Sequence, residues 1–155
     1  IGILITIPLI LGAYVYGGGV GIDIGQSKAQ TDPMMIHIHP ELSIIMDGKP
    51  FTVPSNIGID SALWRDNSLD EYGMQSMPEM GMSGMAPLHT HDDSGTIHLE
   101  SSLSRDYTLG EFFKIWGLDL QGKTIKATVD GKPVTDFENI GMEDGKKIAL
   151  DIKSS

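Results

Sequence analysis

All five histidines of the chain fall in three short motifs, His37-Ile-His39, His89-Thr-His91 and His98. Alternate residues of a strand point to the same side with Cα atoms about 6.5–7 Å apart, so the two rings of a His-x-His pair can reach a common ion. Residues 88 to 100 read as a hairpin around Asp92-Asp-Ser-Gly95. An even turn there pairs His91 with Thr96 and His89 with His98. His89, His91 and His98 then share one face, while Leu88, Ile97 and Leu99 share the other and supply its burial. Three neutral imidazoles with an open position suit Cu(II) or Zn(II), and the same donors occur at hydrolytic zinc sites. His37 and His39 either join this group or form a second site. Asp92 and Glu100 are the carboxylates expected to orient the rings from behind. The competing reading leaves the histidines in solvent or bonded to Asp92, Asp93 and Glu100.

A second constellation is made of thioethers. Met74, Met77, Met80, Met82 and Met85 lie in one twelve-residue stretch with Gly, Pro and Ser among their spacers. Thioethers are soft donors that select Cu(I), and zinc and calcium make no use of them. A polar neighbourhood argues against a core, although an adaptable protein-binding surface would use the same residues. With the histidines, the methionines move the expected cofactor from zinc to copper, zinc remaining the alternative.

Composition narrows the classes further. The chain has 155 residues, a formal charge of −10 and no cysteine. Clustered Lys and Arg, which nucleic acid requires, are missing, so no nucleic-acid partner is expected. Thiolate zinc sites, iron–sulfur clusters and a cysteine-ligated blue-copper centre are excluded. There is no Gly-rich phosphate loop, nucleophile elbow or HExxH helix, so binding without turnover is favoured over enzymology. The alternatives are a small metalloenzyme, of zinc or copper, with three histidine ligands, and an assembly or filament protein with metal-bridged subunits.

The elements that must position these residues follow from periodicity. Residues 1–22 carry no charge and are apolar almost throughout; as a helix they span about 33 Å, close to the bilayer's hydrocarbon thickness. They are expected to be a transmembrane anchor, with a signal-peptide core as the alternative. Residues 23–33 form a flexible stalk, and residues 34–153 an extracytoplasmic domain on a single-pass membrane protein.

Within that domain Met34 to Met46 alternates as a strand, with Pro40 suggesting a break. Asp47-Gly48 makes a hairpin that sets Ile44 opposite Phe51 and Leu42 opposite Val53. Residues 60–87 form a long loop that contains the methionine-rich segment 74–85. Thr108-Leu-Gly-Glu111 is a capping box opening a short helix that stops at Gly117. Asp130-Gly131 gives another hairpin, followed by a strand from Lys147 to Ile152.

The predicted class is α+β: a small mixed, hairpin-rich β-sheet domain with one short helix, β-grasp-like, preceded by the transmembrane helix. An internal likeness joins 47–58 to 130–141, with eight of twelve positions identical. Only the first copy follows histidines, so the likeness is of hairpins and not of sites.

The segments His37-Ile-His-Pro-Glu-Leu-Ser-Ile-Ile-Met-Asp-Gly-Lys49, Val53-Pro-Ser-Asn-Ile-Gly-Ile59, Pro87-Leu-His-Thr-His-Asp-Asp-Ser-Gly-Thr-Ile-His-Leu-Glu-Ser101 and Tyr107-Thr-Leu-Gly-Glu-Phe-Phe-Lys-Ile-Trp-Gly117 together resemble a family of exported proteins of archaea and bacteria. The chain is most similar to members from ammonia-oxidising archaea, and the methionine loop is longer and richer here than in the family's pattern. The resemblance implies a setting of copper enzymes outside the cytoplasm. It also implies a partner among the subunits of a copper-dependent membrane complex, such as an ammonia-monooxygenase-type enzyme.

Overall fold

Pro40 lacks the N–H that a ladder needs, and the alternating stretch breaks there into two strands, β1 (Ile36–Ile38) and β2 (Glu41–Met46). In chain order β3 (Lys49–Phe51), β4 (Leu88–His89), β5 (His98–Ser101), α1 (Leu109–Trp116), β6 (Thr124–Val129), β7 (Lys132–Val134) and β8 (Lys147–Lys153) follow. This computed structural model describes residues 34–81 and 83–154. The anchor expected over 1–22, the stalk over 23–33 and Met82 lie outside the described residues. Among the described residues no helix is long and apolar enough to cross a membrane.

The strands make two sheets of a small α+β domain. One has the order β3-β2-β8-β6-β7, the other β1-β5-β4. In the larger sheet β2 and β8 pair in parallel at the centre, and an Asp-Gly hairpin stands on either side. Both turns have positive φ at each central residue, Asp47 and Gly48 in one and Asp130 and Gly131 in the other. That conformation matches the twist of the strands it joins.

Register follows from side-chain alternation. Phe51, Ile44, Leu150, Ala127 and Val134 form one row across all five strands. Phe51 and Val134, at its two ends, are matching positions of the internal repeat. The expected pairing of Ile44 with Phe51 is present. The expected pairing of Leu42 with Val53 is not, because β3 ends at Phe51; Leu42 pairs with Ile148, and Val53 is buried as a loop residue.

The helix forms where its capping box predicts. Thr108 Oγ1 accepts the Glu111 N–H, Glu111 accepts the Thr108 N–H at 2.9 Å, and Gly117 caps the far end in the left-handed conformation. Its face of Leu109, Phe112, Phe113, Ile115 and Trp116 is buried, with the Trp116 ring 6.1 Å from Phe51. It also packs on β4, the strand that carries His89. Residues 60–87, expected as a loop, contain three single 3-10 turns at Ser61–Leu63, Asp70–Tyr72 and Pro78–Met80.

Candidate metal centre

The smaller sheet is where the histidines meet. β4 pairs with β5 so that His89 stands opposite His98, the register predicted by parity. β1 pairs with the other edge of β5, His37 opposite Glu100 and Ile38 opposite Leu99, and the Glu41–Thr96 bridge continues the same register past Pro40. That register sets His39 opposite His98. His39, His98 and His89 therefore form a row across three strands, with His37 and His91 two residues along from its ends.

The rings close up on one another. His39 and His98 have centroids 4.8 Å apart, His91 and His98 4.6 Å, His89 and His98 5.6 Å, His89 and His91 4.8 Å, and His37 and His39 4.7 Å. The last two pairs lie along one strand, where Cα atoms are about 6.5–7 Å apart, so their rings lean together. The five imidazoles are one continuous cluster. Their ligand atoms fall into two triads, His89/His91/His98 and His37/His39/His98, each with its atoms within 4.8 Å of one another.

The deeper triad is the better ordered. His89 is 1% exposed, and its Nδ1 lies 2.9 Å from the Ala86 carbonyl oxygen. A carbonyl only accepts, so the ring proton sits on Nδ1 and Nε2 carries the free lone pair. That Nε2 lies 3.2 Å from His91 Nε2. Two nitrogens about 2.0–2.1 Å from one tetrahedral ion stand roughly 3.3 Å apart, so this pair is already at ligand spacing. A second ring nitrogen held by a carbonyl is the usual support of a metal-binding histidine. His98 Nδ1 is buried and has no hydrogen-bond partner.

Burial, with lesser repulsion from His91 and His98, lowers the His89 pKa to about 4; burial and the neighbouring rings also lower that of His98. Both rings are therefore neutral, as ligands must be. The same shift has a cost in acid. Above about pH 6.5 neither folded nor unfolded His89 is charged; below it the unfolded chain takes the proton and the folded one does not, so stability falls as pH falls towards 4. The metal-free chain is expected to lose about 2 kcal/mol between pH 7.5 and 5 from this ring. Urea unfolding at the two pH values measures it, and an unchanged midpoint would mean that the ring is open to water.

Thr90, between His89 and His91, faces the other way and is wholly buried. Its hydroxyl donates to the Pro54 carbonyl at 2.8 Å and accepts the Ile57 N–H at 3.0 Å. Its backbone is bonded to Asn56 and Ile57. These bonds lie on the side of β4 away from β5 and hold the strand from behind. β4 ends at His89, and the expected His91–Thr96 pair does not form. Thr90→Val keeps the shape and strands two buried groups, which is expected to cost about 2–4 kcal/mol by chemical denaturation. A loss below 0.5 kcal/mol, roughly the scatter of neutral substitutions, would remove Thr90 from its supporting role.

The remaining candidates divide. Glu100 stands beside a ring, its Oε1 3.2 Å from His37 Nε2. Asp92 does not take the orienting position expected for it; its carboxylate accepts the Ser94 N–H at 2.9 Å and closes the turn. Asp144 was not evident in the sequence, having no histidine near it. Its Oδ1 accepts the His39 backbone N–H at 2.9 Å and lies 3.7 Å from His39 Nδ1.

The methionine segment is closed by an antiparallel bridge, Met74 N–H to Met85 O at 3.0 Å and the reverse at 2.9 Å. Met77 is half-buried, Met80 is 70% exposed and Met82 lies outside the described residues. Met85 is joined directly to Ala86, whose carbonyl holds His89.

No protein-family model, no curated protein and no solved structure matches this chain.

Proposed function

We propose that this domain is a metal-binding module, with copper the preferred ion, held on the extracytoplasmic side of a membrane by the apolar segment 1–22. The observation that carries the reading is the His89–His91 pair: two Nε2 atoms 3.2 Å apart, one of them with its lone pair set by the Ala86 carbonyl. His98 completes a set of three imidazole donors and leaves a position open for exchange or handover. Copper over zinc is favoured by the thioethers of residues 74–85, soft donors one residue from the carbonyl that orients His89. The resemblance to exported proteins of ammonia-oxidising archaea points the same way. Its role would be copper capture and delivery, or membership of a copper-dependent membrane complex.

The mixed sheet supports a β-grasp reading of the fold: its first and last strands pair in parallel at the centre, hairpins flank them, and one helix connects the halves. The site itself lies on the smaller sheet, where His37, His89 and His98 stand on strands, which suits preorganised ligation.

The test is elemental analysis of the full chain purified from its native membrane, with copper and zinc measured together. Copper is expected to copurify, and affinity at the His89/His91/His98 triad to fall at least about tenfold in His91→Ala, whose ring is exposed and separable from folding. Zinc without copper would overturn the choice of metal. Metal unchanged in the variant would overturn the site.

A further inference from the structure

The five rings do not converge on one point. Their ligand atoms separate into two triads, and His98 belongs to both. This follows from topology, because β5 is the middle strand, with β1 and β4 on its two sides. His98 is flanked by His39 at 4.8 Å and by His91 at 4.6 Å, both rings edge-on to it.

We infer that the cluster is a two-ion centre in which His98 is the shared ligand, each of its ring nitrogens binding a different ion. This rests on the metal-binding reading above and adds a second site, His37/His39/His98, to the one on β4. Each ion then has three histidine donors. On bridging, the remaining N–H bond of His98 breaks, its proton passes to water and its electron pair goes to the second ion, with no change of oxidation state.

Three further observations support the sharing. His98 Nδ1 is buried without a partner; such an atom ordinarily costs roughly 1–3 kcal/mol, and a ligand role accounts for its retention. The outer triad has its own orienting carboxylates, Glu100 beside His37 and Asp144 beside His39, as metal-ligating histidines usually do. Those carboxylates and the bridging imidazolate also carry the negative charge that two neighbouring dications require. The triads differ in access: the inner one is anchored by the buried His89 beside the exposed His91, whereas the His37 and His39 side chains are 53% and 40% exposed. The outer ion is thus the more exchangeable one.

The full chain, stripped with chelator and titrated with Cu(II) alone, is expected to retain about two ions per chain. Its electron paramagnetic resonance signal should fall well below the copper content, because a shared imidazolate couples the two spins. The double variant His37→Ala/His39→Ala removes only exposed donors. It should retain about one ion per chain, a twofold loss, with full signal intensity. Circular dichroism of the same sample checks its fold. As a second variant, Glu100→Gln/Asp144→Asn keeps every imidazole and is expected to weaken the outer ion about tenfold and spare the inner one. Two ions with full, uncoupled signal would overturn the bridge. One ion in both the parent and the double variant would overturn the outer site and leave the inner one standing. No bound copper at all would overturn the metal-binding reading itself.

Discussion

Replacing His89 by alanine is expected to empty the inner site and to lower stability by about 2–4 kcal/mol, since a buried ring is lost and its carbonyl partner stranded. The two effects have separate causes. The metal is lost because Nε2 is half of the pair already at ligand spacing. The stability is lost because the ring fills a site that is 1% exposed and satisfies the Ala86 carbonyl. His91→Ala separates them, because its ring is exposed: it should lose the inner ion while unfolding within about 0.5 kcal/mol of the parent. Denaturation of the metal-free proteins, with metal affinity measured alongside, distinguishes the pair. Equal stability of the two variants would contradict the buried, supporting position of His89.

Gly58→Ala should be nearly as damaging although the residue touches no ligand atom. Gly58 has φ +68, and an added Cβ would stand 2.8 Å from the Leu88 carbonyl oxygen, 3.0 Å from Ala86 Cβ and 3.3 Å from His89 Cβ. The backbone conformation alone costs about 1–2 kcal/mol for an L side chain. With the forced retreat of β4, a total of about 3 kcal/mol is expected. Inner-site affinity should fall about tenfold or more, since His89 moves with its strand. The matching repeat position supplies the control: a Cβ at Gly141 meets nothing within 4 Å. Gly141→Ala should therefore stay within about 0.5 kcal/mol of the parent. If both variants behave alike, close approach at Gly58 is not the determinant.

That contrast also explains what the repeat means. After each Asp-Gly hairpin the Asn-Ile-Gly segment buries an isoleucine, Ile57 or Ile140, and bonds to a neighbouring element. The first copy bonds to residues 86 and 90 and so braces the ligand strand. The second bonds to residue 109, with Glu138 just before it accepting from Gly110, and braces the start of α1. The likeness in sequence is a likeness of bracing, and its two copies serve different clients.

Local chemistry was legible in the sequence and distant pairing was not. The His89–His98 register, the Ile44–Phe51 pair, the capping box at Thr108 and Glu111 and both Asp-Gly turns all depend on residues a few positions apart. The union of His37 and His39 with the other three depends on β1 pairing with β5, sixty positions away, with no turn to announce it. The support of His89 and His91 from behind was hidden for the same reason, since Thr90 finds its partners at 54–57. Asp144 enters only through the turn before β8, which crosses to His39. The class and the candidate histidines are written in local patterns, whereas the grouping of those histidines is written in topology.

The spread of the histidines over three strands has a thermodynamic consequence. The five donors come together only when the three-stranded sheet is assembled, and the unfolded chain keeps only the His-x-His pairs close. An ion held by His37, His39 and His98 would act as a removable cross-link over a long loop. Free metal at a hundred times its dissociation constant would add about 2.7 kcal/mol to the folded state. Chelation would withdraw it, making the ion a tunable part of the domain's own stability.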